Sequence, residues 1–87
     1  MSIVQFDIIL WGDGIMKTRL YYLRLEKGYS QLKVQMDTGI NQSNYSKFER
    51  GDRDPTYQQL KILARYFNTS VDYIMELTDV KEPYPPK

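Results

Sequence analysis

The chain has 87 residues with a formal net charge of +1, and it contains neither cysteine nor histidine. A chain of this length holds one small domain, and its core has to be economical. The composition excludes disulfide staples and thiolate metal sites, and it removes the commonest metal ligand and general base. Since no convergent carboxylate cluster replaces them, we expect no enzyme, no metal site and no cofactor.

The positive charge is concentrated in the middle of the chain. Residues 16–53 carry eight Lys or Arg against four Asp or Glu, a net of +4, whereas residues 1–15 carry −2 and residues 54–87 carry −1. A local basic face matters more for an anionic partner than the total charge does. No run is long and apolar enough to span a membrane and no signal-peptide pattern is present, so we expect a cytoplasmic protein.

The first fifteen residues form an extension with a strand-like pattern. Apolar side chains alternate at Val4, Phe6, Ile8 and Leu10, before a glycine-containing break. One hypothesis is that this strand pairs with its copy in a second subunit and locks a dimer. The other is that translation starts at Met16, because the codons for Trp11 and the following glycine form a purine-rich run that resembles a bacterial ribosome-binding site.

Five short helices are predicted after this extension. The first runs from about residue 16 to Lys27, which Gly28 follows as a left-handed cap. The second lies between an N-cap at Ser30 and a stop at Gly39. The third begins after Asn41 and ends at Arg50, before a further glycine.

The last two helices follow a break at Asp54-Pro55. Thr56 and Gln59 form a capping-box pattern for the fourth helix. Ser70 caps a fifth, short helix with apolar residues at Val71, Ile74 and Met75. Residues 82–87 are rich in proline and are expected to be extended. The pattern therefore predicts an all-α domain of five helices.

Residues 31–50 are the most informative part of the chain. They place two short helices on either side of a glycine turn, with four apolar residues positioned for a common core: Val34, Ile40, Tyr45 and Phe48. The rest of the second of these helices is polar, donor-rich and almost free of acid, with Gln42, Ser43, Asn44, Ser46 and Lys47 exposed. Amides can pair with adenine edges and lysine with guanine, which is the chemistry of major-groove recognition.

The chain resembles the Cro and phage-repressor (XRE) family over roughly residues 16–79. The resemblance rests on residues spaced as in that family: Arg24, Lys27-Gly28, Ser30-Gln31, Gly39-Ile40, Gln42-Ser43, Tyr45-Ser46-Lys47, Glu49-Arg50-Gly51, Pro55-Thr56, Leu63-Ala64 and Ser70-Val71-Asp72-Tyr73. It implies an all-α, lambda-repressor-like domain of five helices. The extension at residues 1–15, with its candidate β-strand, precedes this domain, and a tail at residues 80–87 follows it.

The resemblance also implies roles for individual residues. Gln31 would contact a phosphate at the start of the first motif helix. The residues matching base-facing positions are Asn41, Gln42, Ser43 and Lys47. Asn44, Ser46 and Arg50 match family positions that contact the DNA backbone or a neighbouring base. Arg24 and Glu49 match a structural ion pair between helices.

Two positions depart from the family pattern. Gln35 stands where alanine is usual at the tight helix crossing, and Thr38 stands where leucine is usual. Either the crossing is looser or Gln35 turns its amide outward. Among the eight tyrosines, which could suggest stacking on single-stranded nucleic acid, Tyr29, Tyr45 and Tyr73 match core positions.

The sequence thus predicts a transcriptional regulator that binds double-stranded operator DNA as a homodimer and acts as a repressor. Two alternatives stay open: an antitoxin whose domain binds both operator DNA and a toxin, and a protein-binding adaptor that has lost DNA affinity.

Overall fold

The structure, a computed structural model, describes residues 17–85, and the strand predicted within residues 1–15 lies outside them. All regular secondary structure in the described part is helical, so the predicted all-α fold of five helices is confirmed. The helices are α1 (Arg19–Lys27), α2 (Gln31–Thr38), α3 (Gln42–Arg50), α4 (Tyr57–Tyr66) and α5 (Val71–Ile74).

Four of the helices begin at side-chain caps that the sequence predicts. The hydroxyls of Ser30 and Ser70 each accept a bond from a backbone N–H three residues on. Thr56 and Gln59 form a complete capping box. Asn41 caps α3 by accepting bonds from two successive backbone N–H groups. Each cap satisfies donors that the first turn of a helix leaves unpaired.

The turn between α2 and α3 depends on Gly39. Its φ of +80° lies in the left-handed region, which glycine enters without the penalty that a Cβ would impose. The backbone N–H of Gly39 donates to the carbonyl of Gln35, and this bond ends α2. The chain then turns within two residues into α3, which produces the crossing of the two motif helices.

Two helix ends differ from the predicted ones. The first helix begins at Arg19 rather than near residue 16, because Thr18 bonds to α3 instead: its backbone N–H donates to the Glu49 carbonyl at 2.9 Å, and its hydroxyl donates to the Phe48 carbonyl at 3.2 Å. The fifth helix ends at Ile74, and Met75 caps it with a half-exposed side chain.

One hydrophobic core joins the helices. Its buried members are Leu20, Leu23, Val34, Ile40, Tyr45, Phe48, Leu63, Ala64, Phe67 and Ile74. Burying an aliphatic or aromatic side chain of this size contributes roughly 1.5–3 kcal/mol before the entropy cost is counted. The expected core positions of Tyr45, Tyr29 and Tyr73 are confirmed, the first fully buried and the other two packed against the cluster. Tyr45 and Phe48 hold one side of α3 in this core, which leaves its opposite side free.

The chain beyond α5 runs back over α1. The Arg19 guanidinium donates to the backbone carbonyls of Tyr73 and Thr78 and pairs with Asp79 at 2.6 Å. Lys81 pairs with Glu26 of α1. The Arg19 side chain is therefore used in contacts within the fold, between the start of α1 and the chain that follows α5.

Candidate nucleic-acid interface

The exposed side of α3 carries a continuous polar arc. Successive residues turn by about 100° around a helix, so the members of the arc fall within about 140° of one another: Gln42, Ser43, Ser46, Lys47 and Arg50. The first two are exposed and the other three are half-buried. The buried side of the helix, formed by Tyr45, Phe48 and Glu49, faces the core.

Asn41 uses its side-chain oxygen within the protein. That oxygen accepts bonds from the backbone N–H groups of Ser43 at 2.9 Å and Asn44 at 3.2 Å. The amide nitrogen of Asn41 donates to no residue in the described part of the chain, and it stands at an exposed position beside Gln42. Asn41 can therefore offer donors to a ligand but holds its acceptor in the cap.

Asn44 lies off the polar arc and contacts a residue that sequence reasoning missed. Its side-chain oxygen accepts a bond from the Arg53 guanidinium at 3.0 Å. Arg53 is exposed and lies in the turn just beyond α3. Its place two residues after the closing Gly51 was the only signal in the sequence. Together Asn44 and Arg53 extend the polar surface past the edge of the helix.

The cations on α3 differ in their surroundings. Arg50 donates to the Ser46 hydroxyl at 2.7 Å and pairs with Asp52 at 2.9 Å. No carboxylate within residues 17–85 lies within ion-pair distance of the Lys47 ammonium. Among the described residues, Lys47 therefore offers an uncompensated positive charge at one edge of the arc, whereas Arg50 is held by two neighbours.

A buried carboxylate connects the first three helices beneath this surface. Glu49 is 2% exposed, and it accepts bonds from the Arg24 guanidinium at 2.6 and 3.1 Å and from the Gln31 amide at 2.9 Å. The hydrogen bond to Glu49 raises the pKa of Arg24 above its ordinary value. Arg24 also donates to the Tyr29 carbonyl at 2.9 Å. Gln31 is thereby fixed at the start of α2, and its second amide N–H has no partner within residues 17–85.

The two unusual residues at the helix crossing both bond within the motif. The Gln35 side-chain oxygen accepts the backbone N–H of Gln42, the first residue of α3, at 2.6 Å. The Thr38 hydroxyl donates to the Val34 carbonyl at 2.7 Å and accepts from the Ile40 N–H at 3.1 Å. The alternative in which Gln35 turns its amide outward is wrong, because its side-chain oxygen bridges the two helices.

Other kinds of site find little support in the described residues. Within residues 17–85 no three acidic side chains lie close enough together to hold a metal ion. The same part of the chain has no helix that is both long and apolar enough to cross a membrane.

Two short helices crossing at a glycine turn, with the second presenting a polar arc, define a helix-turn-helix domain. Residues 20–74 match the family model described as "Helix-turn-helix". Because this match covers more than half of the chain, the chain belongs to that family.

Three curated relatives, all from Bacillus subtilis (strain 168), are similar to the chain. The uncharacterized HTH-type transcriptional regulator YobD is 37% identical over 65 residues, which cover 75% of this chain and 58% of that protein. The HTH-type transcriptional regulator ImmR is 33% identical over 74% of this chain and 50% of its own length. The SPbeta prophage-derived uncharacterized regulator YonR is 33% identical over 69% and 56% respectively.

The chain thus spans little more than half the length of the curated relatives that it matches. No solved structure matches it significantly.

Proposed function

We propose that this chain is a sequence-specific DNA-binding protein that regulates transcription, with α3 lying in the major groove. The observation that carries the proposal is the polar arc of α3, which is donor-rich, while the opposite side of the helix is buried. Its Lys47 has no acidic partner among residues 17–85. An ordinary solvated helix face mixes acids and bases. Here the one carboxylate of α3, Glu49, is withdrawn into the core.

The side chains of the arc suit the edges of base pairs. Gln42 is exposed and can pair bidentately with adenine, while Lys47 can donate to guanine. Ser43 and the free amide donors of Asn41 stand next to Gln42 at the same end of the helix. These four are the residues that we assign to base contacts.

A second group would hold the DNA backbone. Gln31 keeps an amide N–H at the start of α2, where the helix dipole also favours an anion. Arg53 is the exposed cation beyond α3 and contacts Asn44. Ser46 and Arg50 contact each other on the polar arc of α3. Such phosphate contacts set register and orientation without reading sequence.

We further propose that the protein acts as a homodimer and represses by occupying an operator. Single recognition modules of this size bury only about 600–1,000 Å² on DNA, which limits both affinity and site length. Two copies would read half-sites about 34 Å apart, one turn of the double helix. The description of the three relatives as transcriptional regulators supports the regulatory role.

Selection of bound sequences from a pool of random duplexes tests the proposal. We expect enrichment of two related half-sites, about ten base pairs apart from centre to centre, and a sedimenting complex that contains two chains. The double variant Gln42→Ala/Lys47→Ala is the matched control, since both side chains lie outside the core and the fold should persist. Its selection should lose sequence enrichment. Failure of the wild-type protein to enrich any duplex would refute DNA recognition.

A further inference from the structure

The start of α3 is capped by two different residues. The first three backbone N–H groups of a helix have no partner within it. In α3 the second and third are satisfied by Asn41, the local cap, and the first is satisfied by Gln35 of the preceding helix. The backbone of Gln42 is therefore held from α2 by a bond of 2.6 Å.

This bond is one of two glutamine links between α2 and α3. The other joins Gln31 to Glu49 at 2.9 Å. The linked residues are four apart on α2, or about 6 Å along its axis, and seven apart on α3, or about 10 Å. Two links at different heights fix the angle between two helices as well as their separation. Gln35 holds the N-terminal end of α3, where the exposed side chains of that helix are concentrated.

We infer that Gln35 is a positioning residue for base recognition, which acts by holding the backbone of Gln42 in place. The inference rests on the proposed function, in which the Gln42 side chain contacts a base. A side chain of three rotatable bonds reads a base edge only if its backbone is fixed. Without an acceptor at position 35, the first turn of α3 frays. The protein then loses its sequence preference at the base pair that Gln42 contacts.

Two substitutions separate this role from simple packing. Gln35→Met keeps the length and volume of the side chain but removes the acceptor. Gln35→Glu keeps an acceptor oxygen in the same place. The added negative charge weakens binding to all duplexes, but a ratio of affinities between two duplexes cancels this general repulsion. Met36→Ala is the control on the same helix, because that side chain is 76% exposed.

The experiment measures the affinity of each variant for the selected duplex and for a set of single-base-pair changes within one half-site. A capping acceptor contributes a factor of about five to a helix equilibrium. For Gln35→Met we therefore expect the preference at one base pair to fall about fivefold, with the other positions unchanged. Gln35→Glu should restore that preference, and Met36→Ala should leave it as in the wild type.

Amide hydrogen exchange without DNA provides the independent measurement. The Gln42 amide should exchange about fivefold faster in Gln35→Met, while the Ser43 and Asn44 amides, which Asn41 caps, should keep their rates. An unchanged Gln42 amide, or a preference within twofold of wild type in Gln35→Met, would overturn the inference. If the wild-type protein itself shows no base preference, the proposed function has failed, and the exchange rates still report whether the cap exists.

Discussion

Removing the carboxylate of Glu49 should destabilise the fold strongly, because it leaves a buried charge without its partner. In Glu49→Ala, the Arg24 guanidinium, whose side chain is only 13% exposed, keeps a single described acceptor, the Tyr29 carbonyl. The Gln31 amide loses its partner as well. Removing one partner of a buried ion pair costs about 3–5 kcal/mol, because the remaining charge stays desolvated. Domains of this size have a total stability of roughly 4–10 kcal/mol.

Thermal and urea unfolding measure this loss. In a domain this small each kcal/mol corresponds to about 4–8 °C in Tm, so Glu49→Ala should melt at least 10 °C lower. The matched control is Asp52→Ala, which breaks the exposed pair with Arg50, and exposed pairs contribute about 0–1 kcal/mol. Equal effects of the two substitutions would refute the reasoning.

A double variant keeps the prediction testable if Glu49→Ala fails to fold. Arg24→Met/Glu49→Leu replaces both charges by apolar side chains of similar size. Such a replacement of a whole buried pair is often neutral or stabilising, because no charge is left stranded. We therefore expect the double variant to be more stable than Glu49→Ala. A double variant no more stable than Glu49→Ala would contradict the explanation by a stranded charge, because neither protein holds the ion pair.

Three further predictions can be checked separately. Gln42→Ala should cost about 1–3 kcal/mol of binding free energy at one base pair of each half-site, whereas Gln31→Ala should weaken binding to specific and scrambled duplexes alike. If Gln42→Ala weakened binding to both kinds of duplex equally, its assignment to a base contact would be contradicted. The Tyr66 hydroxyl holds the pKa of Asp37 below its ordinary value of 3.8; the stability from this contact is therefore present above that value and lost as the pH falls through the lower, folded-state pKa. In an NMR titration, Tyr66→Phe should raise the pH midpoint at which Asp37 titrates. An unchanged midpoint would show that the Tyr66 hydrogen bond is not what lowers the pKa of Asp37. If the N-terminal extension pairs two subunits as strands, a protein beginning at Met16 should sediment closer to a monomer and bind its operator more weakly, and unchanged mass and affinity would eliminate that proposal.

The helix boundaries that could be predicted are those set by neighbouring residues. Ser30, Asn41 and Thr56 each cap a backbone group two or three positions away, so the signal and its effect lie within one short window. The apolar positions of α3 were predictable for a similar reason, since Tyr45 and Phe48 recur at helical spacing before the glycine. Once these apolar positions are assigned to the core, the remaining residues of the same helix form the polar arc, so the arc was predictable too.

The features that could not be predicted depend on partners distant in the chain. The role of Arg19 has no local signal in the sequence, because its carbonyl and carboxylate partners follow more than fifty residues later. Arg53 has no periodic pattern to mark it, and its contact with Asn44 depends on how the turn after α3 folds back. Gln35 is ambiguous because a glutamine at a helix crossing can face solvent or a neighbouring backbone, and only the crossing geometry decides between them.

The crossing of α2 and α3 is therefore set by directional bonds as well as by packing. Val34 and Ile40 supply apolar contact at the turn, but apolar packing alone tolerates small rotations of one helix against another. The links from Gln31 and Gln35 restrict such rotations, because a hydrogen bond prefers an angle above about 150° at its hydrogen and weakens steeply below about 120°. Since Glu49 and the core residues maintain the fold on the far side of α3, a change at position 35 should alter how the first turn of that helix meets a ligand without preventing the domain from folding.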